Sequence, residues 1–244
     1  MARENARLVA FLQSPYLGVV TASSPPRPPR APRPSLYPTR SSAGAALGEL
    51  LARRGILSAV LLGVTPEGVE IAANASRAMG AAFDVLVASF IRLGSNLAPI
   101  GAMAENAPAE MDPDFQPGMS LLEKLETAIE ESRARVRQDI VLYRTQRPIK
   151  KFEGRQVVVI DGQVIYPWRV LAGVRAVEEL GATRVAIATP VATKSAIERI
   201  EARRYQIVCA NVVEEEAGHP SPYADASGET PERLKSIMIA HQAA

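Results

Sequence analysis

The sequence predicts an α/β fold with a doubly wound, mostly parallel central sheet. Short apolar, β-branched runs such as Ala59 to Val64 and Val157 to Ile160 have the length and composition of buried strands. Segments between such runs carry apolar residues three and four positions apart, which is typical of a helix with one buried face. Strands that alternate with helices in this way predict parallel pairing through crossover connections.

The clearest strand–helix–strand unit occupies residues 154–191. Its elements are a strand over Val157 to Ile160, a helix over Arg169 to Leu180 and a strand over Val185 to Ala188. Ligands of open parallel sheets bind at the carboxyl ends of the strands. The loop from Asp161 to Trp168 is therefore the first candidate site.

The other elements follow from the same patterns, and together they predict about five strands with helices on both faces of the sheet. They are a helix over Thr39 to Arg53 capped by Ser41 or Ser42, a strand over Ala59 to Val64, a helix over Val69 to Met79, a strand over Phe83 to Val87, a helix over Ser120 to Arg144, a helix over Thr193 to Arg203, a strand over Tyr205 to Val213 and a helix over Thr230 to His241.

The first 35 residues differ from the rest in composition. Residues 23–35 read S-S-P-P-R-P-P-R-A-P-R-P-S, which predicts an extended polyproline II segment. This segment is either a solvated spacer or a docking strap for an acidic partner, and in the second case its contacts come from Arg27, Arg30 and Arg33. An α/β domain is predicted over residues 36–244, with a helical insertion over residues 106–150.

Bulk composition excludes several classes of protein. The net charge of +2 gives no global case for nucleic acid or membrane binding, and no apolar run approaches the length of a membrane span. One cysteine and two histidines argue against a zinc site, so no metal site is predicted. The lone Cys209 and the absence of a signal-peptide pattern predict a reducing, cytoplasmic setting.

The strand and loop that end at Arg169 resemble the type I phosphoribosyltransferase family. That family's signature is an apolar strand running into D-D-G-x-x-T-G-x-T and then a helix, where this chain has D-G-Q-V-I-Y-P-W-R at residues 161–169. Residues 65–72, T-P-E-G-V-E-I-A, are similar to the family's P-R-G-G-V-P-V-A, and residues 100–105 keep I-G-A-M-A-E. The opening helix matches the family at Arg40, Ala43, Gly44 and Leu47. The resemblance covers roughly residues 36–240.

The resemblance implies a site for phosphoribosyl pyrophosphate and Mg²⁺ and often a homodimer. In the family, the paired acids hold the ribose hydroxyls and the glycines and hydroxyls wrap the 5-phosphate. The residues that keep these places, or that supply a cation nearby, are the residual ligand-binding candidates of this chain. They are Arg40, Gly68, Val69, Asp161, Gly162 and Arg169.

Most of the charged and phosphate-binding residues of the family pattern are replaced in this chain. The second acid is Gly162, and the T-G-x-T segment has become Tyr166 to Arg169, in which a proline has no N–H to donate. Glu67 stands where a glycine faces pyrophosphate, and a carboxylate there is repulsive. Ala88 and Ser89 replace a basic pair. These changes predict a catalytically inactive member that needs no cofactor and acts as a structural, regulatory or protein-binding subunit.

Two other functions stay open. The first is an active phosphoribosyltransferase with an atypical donor site, for which phosphoribosyl pyrophosphate and Mg²⁺ would be required and Arg169 or Arg92 would supply positive charge. The second is a nucleic-acid-binding regulator of the same fold. The small net charge and the few aromatic residues make nucleic acid an unlikely partner.

Several residues carry two interpretations each. Tyr166 and Trp168 either fill the volume of a lost phosphate pocket or project as anchors for a protein partner. Asp161 is either a turn-capping carboxylate or a residual ribose ligand. The apolar stripe of the long helix, which includes Ile129 and Val136, either packs on the core or faces a partner.

Overall fold

The structure is a computed structural model, and it describes residues 35–144, 149–214, 221–225 and 230–242. These residues belong to the unit 35–244 of the chain. The predictions for the arginine–proline segment, with Arg27, Arg30 and Arg33, lie outside the described residues. Among the described helices, none has the length and apolar character that crossing a bilayer requires.

The described elements alternate between strands and helices for most of the chain. In order they are α1 (Arg40–Arg53), β1 (Ala59–Val64), α2 (Glu67–Met79), β2 (Ala82–Leu86), β3 (Ala88–Ile91), β4 (Gly101–Ala104), β5 (Glu110–Met111), a 3₁₀ turn (Met119–Leu121), α3 (Leu122–Arg144), β6 (Gln156–Ile160), α4 (Trp168–Glu179), β7 (Arg184–Thr193), α5 (Lys194–Ala202), β8 (Gln206–Val213) and α6 (Pro231–Gln242).

The main sheet has five strands in the order β2-β1-β6-β7-β8. All neighbouring strands are parallel, and Val157 of β6 lies between Val60 of β1 and Val185 of β7. The predicted doubly wound, mostly parallel α/β sheet is therefore confirmed. Because β1 and β6 are central neighbours, the segments that follow them emerge side by side at the carboxyl edge.

The two faces of the sheet are covered by different helices. Successive side chains of a strand point to opposite faces. Val157 and Val159 pack with Val170 and Val174 of α4 on one face. Val158 and Ile160 pack on the other face with residues of α1 and α2, which include Leu47, Leu51 and Ile71. The continuous apolar run of β6 thus reflects burial on both sides.

A second, antiparallel sheet of β3, β4 and β5 was not predicted. Phe90 pairs with Ala102, which in turn pairs with Glu110. These strands have two to four residues, which are too few for a periodic pattern to be recognised in their sequences. The predicted loop over Asn106 to Gly118 therefore contains a short strand, and the described helix of the insertion is confined to residues 122–144.

The N-cap of α1 differs from the residues predicted for it. The cap is Thr39 rather than Ser41 or Ser42. Its hydroxyl accepts from the backbone N–H of Ser42 at 3.1 Å, and the Ser42 hydroxyl accepts from the backbone N–H of Thr39 at 3.2 Å. A serine at the third helical position can close a capping box in this way, a role that glutamate or glutamine usually fills.

The C-terminal end of α3 is anchored by a buried ion pair. Arg144 Nε and Nη2 donate to the two carboxylate oxygens of Glu105, each at 2.6 Å. Both side chains are almost fully buried, and Glu105 also accepts from the backbone N–H of Val87 at 2.9 Å. This pair joins the helical insertion to the end of β4 and the start of β3.

Replacing Arg144 by methionine is expected to lower the free energy of unfolding by about 3–5 kcal/mol, because Glu105 would remain buried without its cation. Urea denaturation followed by circular dichroism measures the loss. Arg133→Met is the matched control, since Arg133 pairs with Glu130 on the exposed side of the same helix. We expect it to cost about 0–1 kcal/mol. Equal losses in the two variants would contradict a special role for the buried pair.

Candidate functional site

The candidate site lies where β1 and β6 end, and it depends on a close approach between their following segments. A Cβ atom on Gly68 would lie 2.2 Å from the carbonyl oxygen of Ile160, a distance that no side chain tolerates. Glycine at this position therefore lets the start of α2 touch the end of β6. The contact brings Glu67 next to the Asp161–Gly162 turn, where a Cβ on Gly162 would lie 3.0 Å from the Glu67 Cβ.

Arg169, in the first turn of α4, binds both carboxylates at this junction. Its Nε and Nη2 donate to the two oxygens of Asp161, each at 2.8 Å, and Nη2 also donates to Glu67 at 2.6 Å. The side chains of Arg169 and Asp161 are 8% and 2% exposed, whereas that of Glu67 is 46% exposed. The guanidinium therefore closes the buried side of the site, and one flank of Glu67 remains open to solvent.

Asp161 titrates above the ordinary range of a carboxyl group. Burial raises its pKa to about 6, and Glu67 adds to the rise while Arg169 opposes it. Burial alone would lower the pKa of Arg169, but Asp161 and Glu67 raise it above its ordinary value. One charged guanidinium thus serves two carboxylates, of which Asp161 is the more deeply buried.

The aromatic ring of Phe90, from β3, joins this site to the second sheet. The guanidinium carbon of Arg169 lies 4.7 Å from the ring centroid and that of Arg92 lies 4.9 Å from it, both within cation–π range. Arg92 also donates to the carbonyl oxygen of Leu97 at 2.7 Å. Burial lowers the pKa of Arg92 below its ordinary value.

The loop between β6 and α4 is tied down along its length. The Asp161 carboxylate accepts from the backbone N–H of the next residue, Gly162, at 2.7 Å. The Tyr223 hydroxyl donates to the carbonyl oxygen of Gly162. Val164 pairs with the extended end of β7, donating to Val191 at 2.9 Å and accepting from Thr193 at 3.1 Å. These bonds leave the loop little freedom to reshape around a ligand.

The N-terminus of α4 is occupied by apolar and cyclic residues. Pro167 is the N-cap and makes no side-chain capping bond. Its carbonyl oxygen accepts from Leu171 at 3.0 Å. Trp168 is 3% exposed and packs in the core beside Val164 and Leu171.

The acidic residues of segment 110–114 form ion pairs with arginines in α4, in α5 and directly after α5. Glu110 is buried and pairs with Arg175 at 3.1 Å and with Arg203 at 3.0 Å. Arg199 of α5 pairs with the aspartates that follow, Asp112 and Asp114, at 3.1 and 2.9 Å. The Arg199 guanidinium also lies 5.3 Å from the centroid of the Trp168 ring. The insertion therefore helps to hold Trp168 in its buried position.

The structure gives the predicted ligand-binding residues different surroundings. Asp161, Gly162 and Arg169 meet at one point, with Gly68 packed directly behind them. Val69 is fully buried, and its backbone N–H donates to Pro66 at 3.3 Å, so this N–H is already used within the chain. Arg40 stacks 4.9 Å over Tyr223 and donates to the carbonyl oxygen of Asp225 at 3.5 Å.

The two aromatic candidates, Tyr166 and Trp168, differ in their exposure to solvent. Trp168 is buried, so the interpretation of this side chain as a projecting anchor is wrong; the burial agrees with the alternative, in which the ring fills interior volume. Its position just inside α4 turns the side chain toward the sheet rather than toward solvent. Tyr166 is 38% exposed and remains available for a partner.

Comparisons with known proteins place this geometry in context. No protein-family model matches the chain. The chain is similar to the protein TT1426 from Thermus thermophilus, with 29% identity and a TM-score of 0.68 over 84% of this chain and 98% of that one. It is also similar to orotate phosphoribosyltransferase from Mycobacterium tuberculosis, with 18% identity and a TM-score of 0.40 over 71% and 70% of the two chains.

Adenine phosphoribosyltransferase from Thermoanaerobacter pseudethanolicus matches with 14% identity and a TM-score of 0.43 over 71% of this chain and 80% of that one. Phosphoribosyltransferases are structural neighbours of this chain. The resemblance inferred from the sequence is confirmed to that extent. Loss of the phosphoribosyltransferase activity is not tested by these comparisons and stays a prediction.

Sequence reasoning missed most of the partners that complete the site. The sequence pattern predicts Arg169 as a positive charge for an external ligand and Glu67 as a repulsive carboxylate, whereas in the structure the two side chains pair with each other. The sequence did carry a sign of this pairing. Glu67 and Arg169 both replace uncharged residues of the family pattern, and both follow strands that are predicted to be parallel neighbours in one sheet. Phe90 and Tyr223 carried no such signal, because their contacts depend on a second sheet and on a distant segment of the chain.

Protonation of Asp161 should be visible as a pH dependence of stability. The folded-state pKa of about 6 lies above the ordinary 3.8. The group therefore favours folding fully below about pH 4, and this contribution of about 3 kcal/mol is lost as the pH rises through 6. Asp161→Asn removes the titration. The free energy of unfolding of the wild type, relative to that of Asp161→Asn, should fall by about 2 of these 3 kcal/mol between pH 4 and pH 7, since the unfolded chain already begins to release this proton at its pKa of 3.8.

Carbon-13 NMR of the Asp161 carboxyl group gives a direct second measurement, with an expected midpoint near pH 6. A midpoint below pH 4, together with a pH-independent difference between the two proteins, would show that Arg169 outweighs burial.

Proposed function

We propose that this chain is a catalytically silent protein of phosphoribosyltransferase-like architecture that acts through contacts with other proteins, as a structural or regulatory subunit. The observation that carries the proposal is the closure of the strand-end site by the chain's own guanidinium, which Arg169 places on Asp161 and Glu67. The resemblance implies that a ribose and a pyrophosphate would bind at these positions.

The donor set does not fit phosphoribosyl pyrophosphate with Mg²⁺. Both oxygens of Asp161 already accept from Arg169, and one of them also accepts from Gly162. A Cβ atom at Gly162 would lie 3.0 Å from both the Cβ and the carbonyl oxygen of Glu67, so a second carboxylate at this position would require Glu67 to move by a few tenths of an ångström. An incoming pyrophosphate would meet the exposed flank of Glu67, which repels it.

The phosphate-binding end of the site is equally altered. Where the family pattern has small residues and hydroxyls, α4 begins with Pro167 and the buried Trp168. Ala88 and Ser89, which stand in place of a basic pair, are buried in β3 and contribute no charge. Each donor lost from a charge-stabilising site costs roughly 3 kcal/mol. Two such losses correspond to about a 10⁴-fold lower rate.

A role through protein contacts follows from what the chain retains, namely a well-packed scaffold and an exposed surface. Tyr166 is an exposed residue of the loop between β6 and α4 and is a candidate contact residue. Arg27, Arg30 and Arg33 remain candidates for an acidic partner, although they lie outside the described residues. We expect the protein to work in the cytoplasm, as a homodimer or within a larger assembly, and without a cofactor.

Isothermal titration calorimetry with phosphoribosyl pyrophosphate and MgCl₂ tests the silence of the site. We expect no binding heat at ligand concentrations up to about 1 mM, because the ligand would have to displace Arg169 from two carboxylates. Micromolar binding would count against the proposal.

A companion assay follows release of pyrophosphate in the presence of adenine, hypoxanthine, uracil or orotate. Asp161→Asn is the control, and we expect the same background from both proteins. Base-dependent release that is lost in Asp161→Asn would favour an active transferase with an atypical donor site.

A further inference from the structure

The two outer strands of the main sheet, β2 and β8, differ in how their free edges are protected. An edge strand presents a row of backbone N–H and C=O groups with which another extended chain can pair. The strand order β2-β1-β6-β7-β8 leaves one such edge on each of these two strands. Natural proteins usually protect an edge with charged side chains, with proline or with a covering segment.

The edge of β2 is closed by polar groups of the chain itself. The backbone N–H of Val85 donates to the carboxylate of Asp84 at 2.8 Å, and the carbonyl oxygen of Val85 accepts from Arg144. Directly after the strand, the N–H of Val87 donates to the Glu105 carboxylate at 2.9 Å, and the Val87 carbonyl oxygen accepts from the Glu105 N–H at 3.0 Å. The backbone groups of Val85 and Val87 are therefore already used within the chain.

The edge of β8 lacks such protection among the described residues. Its sequence, Q-I-V-C-A-N-V-V, contains no charged residue and no proline. In the described part of the chain, β7 is the only strand that pairs with β8, and no segment other than β7 bonds to the β8 backbone. Ala210 and Val212 are exposed, Val212 to 60%. The edge is therefore accessible from the side opposite β7.

The length and composition of β8 suit the addition of a further strand. It has eight residues, against five in β2, and spans about 26 Å at 3.3 Å per residue. Half of its residues are β-branched, the type that is enriched in strands. A partner strand could thus form several consecutive backbone hydrogen bonds along this edge.

The chemistry of this edge indicates what kind of partner fits it. A row of N–H and C=O groups is matched by another extended backbone, as in strand addition to sheet edges. Antiparallel pairing is slightly more stable per residue, and parallel sheets commonly carry an antiparallel edge strand. The exposed Arg204 precedes β8 and the exposed Glu214 follows it. A complementary antiparallel partner therefore has a basic residue at its N-terminal end and an acidic residue at its C-terminal end.

A second copy of the chain fits this edge less well than a flexible segment does. A stable contact between two folded proteins buries about 800 Å² on each partner. The edge is about 26 Å long and only one strand wide, so a second folded domain that touches it alone buries less. An extended segment is not held in a sheet of its own, and it can also cover the exposed side chains of Ala210 and Val212.

We propose that the free edge of β8 binds an extended segment of another protein by antiparallel strand addition, and that this segment has uncharged, β-branched residues between a basic N-terminal and an acidic C-terminal end. The inference specifies one surface for the protein contacts of the proposed function. It does not involve Glu67, Asp161 or Arg169, so calorimetry with phosphoribosyl pyrophosphate tests the silence of the strand-end site separately.

Amide NMR of the isotope-labelled full chain, titrated with the acetylated and amidated peptide Lys-Thr-Val-Thr-Val-Thr-Val-Glu, tests this edge. We expect chemical-shift changes and slower hydrogen exchange at residues 206–213 and none at residues 82–86, with a Kd of about 100 μM. The same peptide with its terminal Lys and Glu exchanged should bind about fivefold more weakly, because like charges would then meet at both ends.

Two N-methylated forms of the peptide separate backbone pairing from side-chain contact. Methylation of the three Thr amides removes the donors on one edge of the peptide strand, and methylation of the three Val amides removes those on the other edge. Only one edge of the peptide can face β8. One methylated peptide should therefore bind and the other should not.

A pair of variants locates the contact on the protein. Val212→Lys should weaken peptide binding about fivefold or more, because it replaces an exposed β-branched contact by a charge beside an uncharged strand. Val141→Lys is the matched control, since Val141 is also an exposed valine but lies on α3. We expect circular dichroism melting to be unchanged in both variants, whose substituted side chains are exposed.

The absence of any change at residues 206–213 with about 1 mM peptide would overturn the proposal. Equal binding of the two methylated peptides would also overturn it, because the contact would then not depend on the backbone. A dimer of the full chain that Val212→Lys dissociates would do the same, because a second copy would then occupy the edge.

Discussion

One guanidinium shared between two carboxylates determines how this molecule is organised at its strand ends. The close approach at Gly68 brings Glu67 next to Asp161, and the buried Asp161 carboxylate requires a cation. Arg169 supplies it from the first turn of α4. That first turn can reach the carboxylates because the loop is held by Val164 against β7 and by Tyr223 against Gly162.

The same arrangement explains why the site has the position of a ligand-binding crevice while its charges are already compensated. In an open α/β sheet, ligands bind in the crevice at the carboxyl ends of the strands. Here the compensation comes from within the chain, and Phe90 from the second sheet packs against the compensating group. The acidic segment 110–114 forms ion pairs with arginines of α4 and α5 and with the residue that follows α5, namely Arg175, Arg199 and Arg203. Closure of the site is therefore built into several elements.

Patterns with a long local signal were predictable from the sequence. The parallel sheet followed from apolar runs buried on both faces, and the helices from their three- and four-residue spacing. The strands β3 to β5 could not be predicted, since runs of two to four residues are too short to show a period. Thr39 was missed as a cap because Ser41 and Ser42 are equally good capping residues, and only the backbone geometry distinguishes them.

The location of the site could be predicted from the sequence, but the pairing and burial of its side chains could not. The strand ends were identified correctly, because parallel topology fixes where they meet. The pairing of Glu67 with Arg169 depends on residues 102 positions apart whose side chains meet only after the sheet has formed. Burial of Trp168 likewise depends on the rotation of α4 on the sheet and on Arg199, neither of which a motif specifies.

The most direct measurement is a crystal structure of the protein soaked with phosphoribosyl pyrophosphate and Mg²⁺. We expect Arg169 to remain within hydrogen-bonding distance of both Asp161 and Glu67, with no ordered phosphoribosyl group between Asp161 and Arg169. Density for a ribose phosphate at that position, with the Arg169 side chain displaced from the two carboxylates, would contradict this expectation.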